Sequence, residues 1–177
     1  MFNTLRSTVS AALAVIAVVA LAAPQASAAE RPSASSENAA VQVAETADAT
    51  TRAIAQSDPQ AVAAAANVCG TGYTLSKGIP LPLGTDPQLR LATLFAYENG
   101  GKGCAILDNN VGASRYMYLK VCKVDGTGCD TDTGNFSEYA GPVYVSSFAC
   151  APVTAKMGTS SSSLFINYSS DYVFPCN

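Results

Sequence analysis

The clearest alternation of apolar and polar positions runs through Arg115-Tyr116-Met117-Tyr118-Leu119-Lys120-Val121-Cys122. Met117, Leu119 and Val121 fall on one side of an extended chain and Tyr116, Tyr118, Lys120 and Cys122 on the other, the period of a half-buried strand. Asp125-Gly126-Thr127-Gly128 supplies turn chemistry just beyond it. The pattern predicts a β-hairpin whose returning strand reaches Tyr139-Ala140-Gly141-Pro142-Val143-Tyr144-Val145, with Cys122 and Cys129 flanking the turn and stapling it shut.

From residue 68 onward, β-branched and aromatic residues are punctuated by Gly, Pro, Asn and Asp at regular intervals. That rhythm predicts strands over residues 73–76, 89–98, 104–108, 114–124, 137–147, 151–156 and 164–168. Residues 78–87, with three prolines, the glycine-rich stretch 99–103 and the serine run 160–163 read as loops. The expected fold is all-β, a small disulfide-stapled antiparallel β-sandwich or barrel-like sandwich over residues 68–177.

The first part of the chain has a different character. Residues 1–28 carry Arg6, an apolar stretch over 11–23 and Ala26-Ser27-Ala28, the pattern of a secretory signal peptide cleaved after Ala28. The apolar run ends at Pro24 and is short for a bilayer, so the expected product is released, with no membrane span in the mature form. Residues 29–67 are rich in Ala, Ser, Thr, Gln and Glu without aromatics, and read as a flexible low-complexity tether. Within it, Ser57-Asp58-Pro59 before a run of strong helix formers predicts a short helix over residues 58–66.

Six cysteines, Cys69, Cys104, Cys122, Cys129, Cys150 and Cys176, all lie beyond the tether. An even number in an exported chain predicts a disulfide framework in an oxidising compartment. Six cysteines permit about fifteen connectivities. The tight turn favours Cys122 with Cys129, and pairing of nearest neighbours adds Cys69 with Cys104 and Cys150 with Cys176.

Composition narrows the chemistry. Histidine is absent, which excludes Ser-His-Asp and Cys-His nucleophilic arrangements and the metal centres that use imidazole. No motif singles out a catalytic lysine among Lys77, Lys102, Lys120, Lys123 and Lys156. The acids Asp86, Glu98, Asp108, Asp125, Asp130, Asp132, Glu138 and Asp171 sit in or beside predicted turns, as solvating or locally bonding residues do. Residues 130–135, Asp-Thr-Asp-Thr-Gly-Asn, have the oxygen-rich look of a calcium loop but lack its terminal glutamate, and read as a turn. The stretch 99–103 lacks the Lys-Ser/Thr of a phosphate loop and reads as a strand connection. No catalytic residue, metal site or cofactor is expected. With a formal charge of −3 and no basic cluster, nucleic acid is not an expected partner.

Tyrosine offers the one candidate surface. Tyr116 and Tyr118 share a strand face, and Tyr139 and Tyr144 lie on the strand expected to return beside it. Together they could form an aromatic platform for sugar rings or a protein, or else pair within a sheet. Asn135-Phe136-Ser137 and Asn167-Tyr168-Ser169 fit the N-glycosylation pattern.

Cys69-Gly70-Thr71-Gly72-Tyr73, Leu94-Phe95-Ala96-Tyr97, Cys104-Ala105-Ile106-Leu107, the stretch 131–143, and Cys150 and Cys176 together resemble the spore-associated protein A family of filamentous spore-forming bacteria. The resemblance covers residue 69 to the end, and its most specific piece is 131–143. It implies a small exported protein found with spores or aerial growth, with no established catalytic activity or ligand and no functional residues to carry over. Cys122 and Cys129 are a pair additional to that pattern, which leaves Cys69, Cys104, Cys150 and Cys176 as the shared framework. The expected function is therefore that of a secreted, non-enzymatic cell-surface or spore-associated protein, whose partners are spore or cell-wall surface components. Two alternatives stand beside it: a secreted protease inhibitor presenting residues 77–87 or 125–130, and a carbohydrate-binding module for cell-wall glycan.

Overall fold

The computed structural model describes residues 41–176. The signal peptide and the first part of the expected tether lie outside those residues.

Two helices precede eight strands. α1 (Ala49–Ser57) starts at Asp48, whose carboxylate accepts the Thr51 N–H at 2.7 Å. α2 (Pro59–Cys69) starts with proline in its first turn, where the missing donor costs nothing. Asp58 serves both helices. Its N–H closes α1 on the Ile54 carbonyl at 2.9 Å, and its carboxylate accepts the Ala61 N–H at 3.3 Å. α2 ends at Gly70, whose N–H returns to the Ala66 carbonyl.

The strands are β1 (Thr74–Leu81), β2 (Ala92–Asn99), β3 (Lys102–Asn109), β4 (Arg115–Val121), β5 (Asp130–Phe136), β6 (Tyr139–Val145), β7 (Val153–Ser160) and β8 (Ser163–Ser170). They form two antiparallel sheets, ordered β1-β2-β3-β6 (sheet A) and β5-β4-β7-β8 (sheet B). Between the sheets lies the larger core, with Leu94, Ala96, Ala105 and Leu107 from sheet A and Met117, Leu119, Val121, Ala155, Met157 and Ile166 from sheet B. Met117 and Met157 are cross-strand neighbours there, both fully buried.

Sheet A is apolar on its other face as well. Leu75, Phe95, Tyr97, Cys104 and Ile106 form a second core with Ile54 of α1 and Val62, Ala65, Ala66 and Cys69 of α2. A bulge in β1 between Leu75 and Lys77 turns Leu75 to the helices while Ile79 and Leu81 enter the inter-sheet core. The polar atoms caught in the helical interface are satisfied. Tyr97 Oη donates to the Val62 carbonyl at 2.8 Å, and Thr51 Oγ1 accepts the Gly78 N–H at 3.0 Å. The resulting order of layers is helices, sheet A, sheet B.

The structure corrects several expectations. Residues 41–67 are not a free tether: 42–44 pair with β1, and both helices are built into the second core. The apolar positions that do this are mostly Ala and Val, individually small, so composition alone did not reveal a buried face. The helix expected over 58–66 is α2, which has Asp58 as its cap and runs on to Cys69. β1 runs through Gly78 and Pro80, part of the stretch expected as a loop, because a sheet edge needs no donor from proline. The strand returning from β4 is β5, seven residues containing no apolar side chain except Phe136, and β6 belongs to the other sheet.

β5 pairs with β4 along its whole length, and its acids bond across the corner between the sheets. Asp132 accepts the Gly141 N–H at 2.7 Å and Asp130 the Tyr144 N–H at 2.8 Å, so carboxylates of sheet B's edge hold the backbone of sheet A's edge. A bulge in β6 sets Gly141 and Pro142 against Ile106 alone. Gly141 has φ +108°, and a Cβ there would stand 2.8 Å from the Ala105 carbonyl oxygen, so no larger residue fits. Gly103 is fixed by packing instead: a Cβ would meet Phe174 Cζ at 2.7 Å and Phe148 Cβ at 2.8 Å.

Three disulfides close the frame: Cys69–Cys104 ties α2 to β3, Cys122–Cys129 the β4–β5 connection, and Cys150–Cys176 the C-terminal segment. A polar chain joins the helices to the β2–β3 end of sheet A. Arg90, its side chain 9% exposed, binds Asp58 at 2.7 Å, the Pro87 carbonyl at 2.6 Å and Thr93 Oγ1 at 2.7 Å. Thr93 Oγ1 donates to Asn110, and Asn110 donates to Asp108 at 2.7 Å.

Two predictions follow from this frame. Loop closure scales with the enclosed length, so the sequence separation of 35 for Cys69–Cys104 against 7 for Cys122–Cys129 ranks their contributions. The double variant C69A/C104A should lose about 4 kcal/mol and C122A/C129A about 2.5 kcal/mol in urea unfolding; the reverse order would refute the ranking. The second concerns Asp108, whose pKa is raised by burial against the lowering effect of the Asn110 hydrogen bond. An acid with a raised folded-state pKa holds its proton more tightly in the native chain, so stability rises as pH falls through that value and the charged form costs most at neutral pH. Asp108→Asn, which still accepts from Asn110, should keep or raise Tm at pH 7 and flatten the acid side of the stability profile. A fall of Tm at pH 7 would show that the charge itself holds the network.

Candidate functional site

With helices over sheet A, the outer face of sheet B is the broad sheet surface left uncovered among the described residues. Pleating puts the neighbours of Met117 and Leu119 on that face. The register assembles three rows across the strands: Thr131, Lys120, Thr154 and Ser169; Thr133, Tyr118, Lys156 and Asn167; then Asn135, Tyr116, Gly158 and, on β8, Phe165.

These rows contain two lysines and no carboxylate, within a chain of formal charge −3. Lys156 Nζ lies 5.4 Å from the centre of the Tyr118 ring, a cation–π contact that holds the ring on the sheet. Thr133 Oγ1 donates to Tyr116 Oη at 3.4 Å. The exposed Phe165, the bulged residue of β8 next to Leu164, the partner of Gly158, adds a third aromatic. Hydroxyls, amides and ring faces at strand spacing suit a flat polyhydroxyl ligand, which stacks on rings and exchanges hydrogen bonds with short polar side chains. Asn135 and Asn167, the residues of the two glycosylation patterns, both lie on this face, on opposite edge strands.

The structure divides the four tyrosines singled out in the sequence. Tyr116 and Tyr118 lie on the open face of sheet B. Tyr139 and Tyr144 lie on sheet A: Tyr139 packs against the helical core, and Tyr144 stands at the end of α2, where its hydroxyl donates to the Cys69 carbonyl at 3.3 Å. The four form no shared platform, because β6 crosses to the other sheet. Period-two spacing reports which side of its own strand a residue occupies and carries nothing about which sheet receives that strand.

Tyr144 instead meets Tyr73, ring centres 6.4 Å apart, beside a cavity of ≈ 530 Å³ that Lys102, Lys123 and Gly128 also line. Burial raises the Tyr73 hydroxyl pKa, with the neighbouring Tyr144 adding to it. A larger cavity, ≈ 890 Å³, lies between residues 41–45 and the two helices. Its walls are chiefly Ala and Val. Its one guanidinium, Arg52, is already bonded to the Ala47 and Glu45 carbonyls.

Five of the aspartates are occupied structurally. Asp130 and Asp132 bind β6 amides, Asp125 and Asp86 close their own turns, and Asp58 holds Arg90. Among the described residues no cluster of three Asp, Glu or Cys is arranged to hold a metal ion. Lys77, the start of the proposed inhibitory stretch, lies inside β1 with Nζ 3.5 Å from Asp48, so the exposed connection begins beyond Leu81. Residues 125–130 are exposed save for Asp130, and their ends are fixed by Cys122–Cys129.

No known family model matches the chain. No solved structure matches it. Among curated proteins, a stretch of 82 residues, 45% of this chain, is 32% identical to spore-associated protein A of Streptomyces coelicolor. The stretch covers 49% of that protein, so the chain spans about half the length of the curated relative it matches.

Proposed function

We propose that this chain is an exported, non-catalytic protein of the spore or cell surface, and that the open face of sheet B is where it holds a glycan-like polymer of that surface. The observation that carries the reading is the face itself: aromatic, hydroxyl and amide groups with two lysines and no carboxylate, on an acidic chain. Three disulfides support an oxidising destination, and no helix among the described residues is long and apolar enough to cross a membrane. The partial likeness to a spore-associated protein supports the location.

The reading treats Tyr118 and Lys156 as one binding unit. The ammonium fixes the ring and offers a donor to sugar hydroxyls or to an anionic group, while Tyr116 and Phe165 extend the stacking surface. Catalysis is not part of it: the chain has no histidine, and Asp58, Asp86, Asp125, Asp130 and Asp132 are engaged by Arg90, turns and backbone amides.

Purified oxidised protein should co-sediment with washed spores and with isolated cell-wall glycan. The variant Y118A/K156Q should bind about tenfold more weakly, as expected for one lost ring contact and its cation, with circular dichroism unchanged. Retention on neither material, or equal binding by the variant, would remove the proposed face. Recovery of the native protein only from cytoplasm would remove the proposed location.

A further inference from the structure

A sandwich of two open sheets has four lateral edges, and each is a row of backbone donors and acceptors that must be met or protected. Three are covered within the chain, in part by hydrogen bonds and in part by packing. At β1, the Leu75 N–H bonds the Gln42 carbonyl at 2.9 Å and the Ala44 N–H bonds the Leu75 carbonyl at 2.8 Å, so residues 42–44 cover that edge. At the corner, the Asp130 and Asp132 side chains of β5 take the Tyr144 and Gly141 amides of β6, which lays the β5 and β6 edges against each other. The fourth edge is β8. Among the described residues its outer backbone groups have no partner beyond β7.

Apart from a bulge at Phe165, β8 lacks the usual protection. From Met157 to Ser170 the chain has no charged residue and no proline. The register shifts of the β7–β8 hairpin lie between Met157 and Ser160 on β7 and between Ser163 and Ile166 on β8, and from Ile166 to Ser170 the ladder is regular. The strand leaves Phe165 38% exposed, and Tyr172 just past its end is 56% exposed.

We infer that β8 is a self-association edge on which a second copy of this chain adds its own β8, antiparallel, to make one continuous sheet from two copies of sheet B. The occupant follows from charge and pattern. An acidic chain repels its own copies over most of its surface, and this uncharged strand is where two can meet without apposing like charges. A charged partner would find no counter-charge on it. The pattern is self-complementary within the regular stretch: a two-fold axis normal to the sheet through Tyr168 sets Ile166 opposite Ser170 of the second copy on the inward side. On the outward side it sets Asn167 opposite Ser169 of the second copy. The inference stands on the accounting of edges and does not require the proposed glycan contact, although pairing would join the two outer faces into one surface.

Sedimentation velocity on the oxidised protein should show a concentration-dependent dimer. Asn167→Lys places a cation on each strand near the axis without touching the core, and should weaken dimerisation about tenfold or more with Tm unchanged. Thr131→Lys, on the opposite edge of the same face, should leave dimerisation unchanged. In the unsubstituted protein, amide exchange over residues 164–170 should slow as concentration rises. A monomer up to the solubility limit, a dimer indifferent to Asn167→Lys, or a dimer whose β8 amides exchange no more slowly than in the monomer would each overturn the inference.

Discussion

Both faces of sheet A have to be kept from water, and the architecture answers to that need. β2 is buried continuously from Ala92 to Tyr97, and β3 carries Cys104, Ile106 and their inward neighbours Ala105 and Leu107. A sheet so apolar requires a layer on each side. Sheet B supplies one and the two helices supply the other, so residues 41–69 are structural parts of the domain. Cys69–Cys104 fastens the thinner of these layers, in which α1 and α2 contribute few large side chains. Removing apolar area from water scales with the area covered, so a layer built of Ala and Val needs such a fastening more than one built of Leu and Met.

The second requirement is to join two sheets whose edges meet at an angle. Backbone ladders cannot turn that corner, and the Asp130 and Asp132 side chains reach across it in their place. A carboxylate accepting a backbone N–H makes a charge-assisted bond, stronger than the ladder bond it replaces. The same use withdraws these acids from chemistry. What remains reactive on the surface of sheet B is a set of contact groups.

Legibility from sequence followed how each element meets the core. β4 was readable because Met117, Leu119 and Val121 alternate with polar residues, and the all-β fold and the pairing of Cys122 with Cys129 could be reasoned from that region. β5 was not, since its inward positions are Asp130, Asp132 and Gly134, which carry the signature of a turn until the amides of β6 are in view. Pro80 misplaced the end of β1 because a sequence does not say which strand is an edge. Of the candidate surface, Tyr116 and Tyr118 were found through their own strand, whereas Lys156 and Phe165 came only with the register of β7 and β8. The unprotected edge is a property of strand order, and strand order is a long-range fact.

The paired thioethers of Met117 and Met157 have a bearing on chemical durability. Methionine sulfur is readily oxidised, and a sulfoxide is too polar to lie between two apolar sheets. Both sulfurs sit beneath full burial, so a peroxide reaches them only while the sheets stand apart. The pace of that damage is thus set by how seldom the sandwich opens, and the molecule ages on the timescale of its own breathing.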